Sequence, residues 1–183
     1  MKEIRIHARA GQGAITTASL LGYAYFLKGM YPYAFPSFGA ARMGAPMNAF
    51  VRVDSNPVRS RSQIYEPDYL LIVDHTLIRG FNCFSGLKDD GVAIINAKDD
   101  TLEVLKLMAK QRIFIVPANE IALKHIGRPL GNTTMLGAFC AVTEELTLDN
   151  LNSAIEHRFN QKLQEVNIKA AKEGFDYVRS ASL

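Results

Sequence analysis

Only two cysteines occur in the 183 residues, Cys83 and Cys140, far apart and in no C-x-x-C pair. A structural zinc site or an iron–sulfur cluster needs clustered thiolates or imidazoles, so neither is expected within this chain. The two thiols read as free core cysteines. Long hydrophobic runs are also missing. No stretch approaches the roughly 18 apolar residues of a membrane span, and Met1-Lys2-Glu3-Ile4-Arg5 opens no apolar leader. The expectation is a cytoplasmic protein with no membrane partner. No low-complexity tract or internal repeat is visible, which excludes a disordered or fibrous chain. With 48% hydrophobic and 21% charged residues, the chain can enclose a full core, and residues 1–183 are expected to form one domain.

Negative charge is absent from one long segment. Between Glu3 and Asp54 there is no acidic residue, while Arg5, Arg9, Lys28, Arg42 and Arg52 all fall inside it. A segment of one sign focuses a positive potential and favours an anionic ligand or an acidic neighbour, unless the excess lies on a solvated face. Nucleic acid fits poorly, because the basic residues are scattered among apolar segments rather than gathered along one helix. Catalytic constellations are missing as well: there is no H-E-x-x-H, no G-x-S-x-G and no cysteine with an obvious histidine partner. Asp74-His75 ends an apolar run and could face a ligand crevice, but a capping Asp and an edge His explain it equally. His7 reads as a core or rim histidine. Catalysis by the isolated chain is therefore not expected.

What is present alternates between strands and helices. Ile4 to Ala8 predicts a first strand, and Ala14 to Lys28 a helix stopped by Gly29. Tyr31 to Phe35 predicts a second strand, and Pro36 to Pro46 a loop rich in small residues. Met47 to Val53 and Val58 to Ile64 flank Asp54-Ser55-Asn56-Pro57, whose turn chemistry predicts an antiparallel hairpin. Leu70 to Val73, Val92 to Ile95 and Ile113 to Val116 have the continuous apolar character of buried parallel strands. Leu102, Leu105 and Met108 recur at helical spacing and predict a crossover helix. Helices follow over Asn132 to Glu145, Leu148 to Phe159 with Thr147 as N-cap, and about Leu163 to Arg179. The expected fold is α/β: a Rossmann-like open, mostly parallel sheet with an antiparallel hairpin, helices on both faces and a helical C-terminal third.

Two glycine-rich pieces carry the candidate chemistry. In His7-Ala8-Arg9-Ala10-Gly11-Gln12-Gly13-Ala14 a strand runs through a tight turn into a helix. The unpaired amides at such a helix start can hold a phosphate or carboxylate. The same residues also suit a close strand-to-helix connection. Dinucleotide binding is opposed, since Thr16 occupies the place of the third glycine of G-x-G-x-x-G and no carboxylate follows about 20 residues on. No Walker lysine follows Gly13 either. The second piece, Phe35 to Pro46, sets Arg42 among small residues including Gly44, a composition that suits one guanidinium fork for a phosphate or carboxylate. Arg59 and Arg61 alternate on the predicted hairpin strand, with Arg52 across from them. They read either as a polyanion contact or as charges guarding a sheet edge.

These pieces, together with Ala34-Phe35-Pro36-Ser37-Phe38-Gly39, Arg42 to Pro46, Arg61 to Tyr69 and Asn132 to Gly137, closely resemble the gamma subunit of pyruvate and related 2-oxoacid:ferredoxin oxidoreductases over nearly the whole chain. Ala8 and Ala10 stand where the usual family turn has glycine, and Met43 where a second arginine is common. The resemblance implies a subunit of an enzyme that oxidatively decarboxylates a 2-oxoacid with thiamine diphosphate and Mg, passes electrons through [4Fe-4S] clusters to ferredoxin, and transfers the acyl group to coenzyme A. It further implies alpha, beta and delta partner subunits that carry the thiamine and the clusters. This chain would contribute assembly and a coenzyme A phosphate contact through Arg9, Gly11, Gln12, Gly13, Arg42 and Gly44. A purely structural assembly module and a stand-alone nucleotide-binding protein are the alternatives.

Overall fold

The computed structural model describes residues 1–37, 42–98 and 110–181. Its centre is β1 (Lys2–Arg9), an alternating strand that sends Ile4, Ile6 and Ala8 to one face of the sheet and Arg5, His7 and Arg9 to the other. β1 is followed by α1 (Ala14–Leu27), β2 (Tyr31–Ser37), β3 (Pro46–Asp54), β4 (Tyr69–Ile72), a 3-10 helix (His75–Arg79), β5 (Val92–Asn96) and β6 (Arg112–Val116). The sheet order is β2-β3-β1-β4-β5-β6. β1, β4, β5 and β6 run parallel, while β3 is antiparallel to both of its neighbours. The continuous apolar runs of β4 and β5 follow from burial on both faces. Tyr69, Leu71, Val92 and Ile94 enter the larger core, and Leu70, Ile72, Ala93 and Ile95 the smaller one behind it.

The α-helices among the described residues contribute to the larger core: α1, α2 (Ala118–Ile126), α3 (Asn132–Thr143), α4 (Leu148–Arg158) and α5 (Gln161–Ala181). The opposite face is covered by the 3-10 helix and the segment through Cys83 and Leu87. The predicted crossover helix over Leu102, Leu105 and Met108 lies outside the described residues. α1 stops as its sequence requires, with Gly29 in the left-handed region at φ 85°. Thr147 caps α4 with a reciprocal bond to Asn150. α3 is buried almost throughout and crosses α5 at close range. A Cβ on Gly137 would overlap the Ala171 carbonyl, and one on Gly174 the Thr134 carbonyl. Small residues there let the two backbones meet. α2 was not anticipated; no element was expected between Val116 and Asn132.

One sequence expectation is overturned. The antiparallel hairpin is β2–β3, and Val58 to Ile64 forms no strand. β3 already has β1 on one edge and β2 on the other, so no edge is left for a third partner. The backbone carbonyls of residues 62–65 accept from two buried guanidinium groups instead. Arg52, 3% exposed, pairs with Glu3 across the strands at 2.7 Å and donates to the carbonyls of Ser62 at 2.6 Å and Gln63 at 3.1 Å. Arg5, 7% exposed, donates to the carbonyls of Ile64, Tyr65, Cys83 and Ser85, the last two at 3.0 and 2.5 Å. Arg52 is thus an internal clamp. It forms no polyanion-reading row with Arg59 and Arg61, which stand on no strand.

Replacing Arg5 with Met should leave several buried carbonyls unpaired and cost on the order of 2–3 kcal/mol, measurable by urea unfolding. His7, beside Arg5, is held neutral: burial first and the Arg5 charge second push its pKa down from 6.5 to about 4. The unfolded chain therefore binds this proton more readily, and stability rises with pH across that window. Acidifying from pH 7 to pH 5 should cost about 2 kcal/mol through this group. Unfolding of His7→Gln should lack that part of the slope.

Candidate functional site

β1 ends at Arg9, and the chain turns through Gly11 at φ 97° and Gly13 at φ 79°. Both are left-handed conformations that glycine adopts without strain. Gly13 is the N-cap of α1, with no side chain capping the helix. No acidic residue lies in the first turn and no basic residue in the last. The positive end of the helix dipole is therefore uncompensated by its own side chains. Asn132, at the start of α3, fixes the turn from behind. Its Nδ2 donates to the Gln12 carbonyl at 2.8 Å, the Gly13 carbonyl at 3.3 Å and Thr17 Oγ1 at 2.7 Å. A Cβ at Gly13 would lie 3.1 Å from that nitrogen, so close approach also selects glycine there.

The loop before β3 folds onto this turn. Ala10 donates its N–H to the Ala45 carbonyl at 2.8 Å, and Gly44 donates to the Ala10 carbonyl at 2.9 Å. The Ala45 N–H closes a tight turn on the Arg42 carbonyl at 3.0 Å, with Gly44 at φ 80°. The two glycine-rich pieces of the sequence thus form one surface at the carboxyl end of β1. Arg42 is exposed there, and its side chain has no hydrogen bond or ion pair among the described residues. Met43, 86% exposed, lies against Gly11, where a Cβ would collide with its sulfur.

Arg9 and Gln12 are both engaged within the chain. Both reach Asp74 Oδ2, Arg9 through Nε at 3.1 Å and Gln12 through Nε2 at 2.8 Å. Gln12 Oε1 also accepts the Arg9 N–H at 2.7 Å. The Arg9 fork extends to the Gly44 carbonyl at 3.2 Å and Thr76 Oγ1 at 3.1 Å. Asp74 in turn caps the 3-10 helix through the Thr76 N–H and hydroxyl. Burial pushes the Asp74 carboxyl up, but the bonds from Thr76 and Gln12 and the Arg9 charge outweigh it and hold its pKa below the usual value. These four side chains form a clasp joining β1, the Arg42 loop and the 3-10 helix. Within it the Arg9 guanidinium is ion-paired with Asp74.

Further polar residues were not singled out from the sequence. Asn96 Nδ2 donates to the Val73 carbonyl at 2.9 Å, and its Oδ1 accepts the Asn119 N–H at 3.1 Å. Asn119 Oδ1 accepts the Gly131 N–H at 3.2 Å, which carries the network to the start of α3. His75 Nδ1 lies 3.1 Å from the Asn96 carbonyl, so Asp74 caps and His75 braces. Beside Gly11 and Gly13 a cavity of about 480 Å³ opens between α1 and α3. Thr16, Asn132 and Thr133 give it polar groups, Leu130 and Leu163 apolar ones, and Arg128 the one cationic side chain. Among the described residues, no group of three or more His, Cys, Asp or Glu side chains could hold a metal ion.

Residues 3–177 match the family model described as pyruvate ferredoxin/flavodoxin oxidoreductase. A relative in Pyrococcus abyssi, the pyruvate/ketoisovalerate oxidoreductases common subunit gamma, is 43% identical over 179 residues, covering 96% of each chain. The crystal structure of pyruvate oxidoreductase subunit PORC from Thermotoga maritima is similar with a TM-score of 0.83 and 36% identity, over 96% of this chain and 95% of that one. A 2-oxoglutarate:ferredoxin oxidoreductase from Magnetococcus marinus, described with 2-oxoglutarate, coenzyme A and succinyl-CoA bound, shares the fold alone. Its TM-score is 0.82 at 16% identity, over 98% of this chain and 31% of that one.

Asp74→Asn should weaken the clasp by about 1–2 kcal/mol. Because the Asp74 pKa is depressed in the folded state, the difference from the parent chain should hold above about pH 4 and shrink below it. Thermal unfolding at pH 7 and pH 3 would measure both.

Proposed function

The chain belongs to the pyruvate ferredoxin/flavodoxin oxidoreductase family, and from that premise we propose that it works as one domain, the gamma subunit of a pyruvate:ferredoxin oxidoreductase. The enzyme decarboxylates a 2-oxoacid oxidatively, passes the electrons to ferredoxin and forms an acyl-CoA. The thiamine diphosphate, its Mg and the [4Fe-4S] clusters belong to partner subunits of alpha, beta and delta type in this reading, and the assembly works in the cytoplasm. The Pyrococcus relative is by name common to a pyruvate and a ketoisovalerate enzyme. A gamma chain shared in that way does not choose the oxoacid, so the choice between pyruvate and other 2-oxoacids falls to a partner.

The contribution we assign to this chain is a phosphate contact for coenzyme A at the carboxyl end of β1. One observation carries it: Arg42, without a side-chain partner among the described residues, sits on a loop stitched by backbone bonds to the uncapped start of α1. A guanidinium fork beside free helix amides is a good receptor for a phosphate dianion. Gly11, Gly13 and Gly44 shape the backbone for it. Arg9 and Gln12 hold that backbone in place through Asp74 rather than reaching the ligand. Met43, apolar and exposed over the same turn, favours a second reading in which this surface packs a neighbouring subunit.

In the assembled enzyme Arg42→Ala should raise the KM for coenzyme A about tenfold or more, the scale of one lost charge-assisted contact, with the oxoacid KM unchanged. An unchanged KM for coenzyme A together with loss of the chain from the complex would instead support the packing reading.

A further inference from the structure

α1 contains no charged residue, and neither does the edge strand β2. A helix apolar on all sides is a buried helix. Here the C-terminal part of α1 is open on one side, with Phe26 58% and Tyr31 50% exposed. α1, β2 and residues 57–61 enclose a groove of about 700 Å³. Tyr23, Phe26, Met30, Tyr31 and Tyr33 line it, with no carboxylate among the lining residues and Arg61 as the one charged side chain. Arg61 stacks over the Tyr33 ring at 3.9 Å and gives Nη1 to the Val58 and Ser60 carbonyls. It forms no ion pair among the described residues, and exposed Arg59 stands beside it. Asp54, opposite Tyr31 in the strand register, is already paired with the Met1 amino group at 3.1 Å.

We infer that this groove seats an apolar segment bearing carboxylates, presented by another subunit of the oxidoreductase; the inference rests on the subunit reading above. The apolar area needs a cover, and the cation at its rim needs an acid. A second copy of this chain is a poor occupant. A two-fold contact sets the same patch against itself and would bring Arg59 and Arg61 toward their own copies. Strand addition along β2 is blocked too. Proline stands in a paired strand where its nitrogen faces away from the neighbour, so Pro32 and Pro36 place donor-less positions on the open edge. The occupant binds through side chains in the aromatic cradle, anchored by an acid on Arg61.

Hydrogen–deuterium exchange, comparing the chain alone with the assembled complex, tests the inference. Residues 23–34 and 57–61 should slow on assembly. Phe26→Ser should weaken association with the partner subunits about tenfold at any salt, and Arg61→Glu by a similar factor that shrinks as salt is added, while Arg61→Lys keeps most of the affinity. Unchanged exchange in the groove of an intact complex overturns the inference and leaves the subunit reading standing. So does a homodimer of this chain protected at the groove. If the parent chain binds no thiamine- or cluster-bearing subunit, the subunit reading fails and the groove assignment with it.

Discussion

The guanidinium of Arg5 is buried beneath the sheet against four carbonyl oxygens and, among the described residues, no carboxylate, and the layout of the second face depends on it. An isolated buried charge is costly unless dipoles surround it. Here residues 64–65 and 83–85 supply those dipoles, and burial still leaves the Arg5 pKa below its ordinary value. The chain must cross from β3 to β4 over this face, and Arg5 with Arg52 determines how it crosses. That path delivers β4 beside β1 in parallel register, Ile4 opposite Tyr69 and His7 opposite Ile72. β4 in turn brings Asp74 to the carboxyl end of β1, where it can take Arg9 and Gln12. A stability element on one side of the sheet thereby positions the glycine turn at its end.

The sequence made some of this legible, and the division has a physical basis. The strands β1, β4, β5 and β6 were readable because burial on both faces, or strict alternation, writes itself into four or five adjacent residues. The ends of α1 and α4 were readable because Gly29 and Thr147 act within one turn. The failed hairpin had correct local chemistry: the Asn56 N–H does bond to Asp54 Oδ1 at 3.2 Å. What it lacked was a free edge on β3, and that edge was taken by residues far away in the chain. α2 escaped notice because nine residues bury only Ala118, Ile121 and Ala122, too few to set a period.

The candidate site divides in the same way. Its backbone shape, two glycine-rich segments brought together, could be read from composition. The roles of its charged side chains could not. Arg9 and Arg42 look alike as basic residues beside small ones, but Asp74 stands 65 residues from Arg9 in the chain and 3.1 Å from it in space. One arginine is therefore held in a salt bridge and the other faces solvent. Asn132 was noticed only within the motif Asn132 to Gly137, and nothing local marks it as the residue that holds the turn from behind.

α1 separates the two surfaces to which functions are assigned. Its fourteen residues span about 20 Å, with the glycine turn and Arg42 loop at its N-terminus and the aromatic groove near its C-terminus. Because no side chain in its first turn is acidic, nothing on the helix itself offsets the dipole where an anion would sit. Because none in its last turn is basic, the cation near the groove has to come from Arg61, outside the helix. On the reading proposed above, the absence of charge that lets α1 be buried also leaves its N-terminus open to a phosphate and its C-terminal flank open to an apolar partner. A subunit seated at that flank would leave the β1 end open to a small anionic ligand.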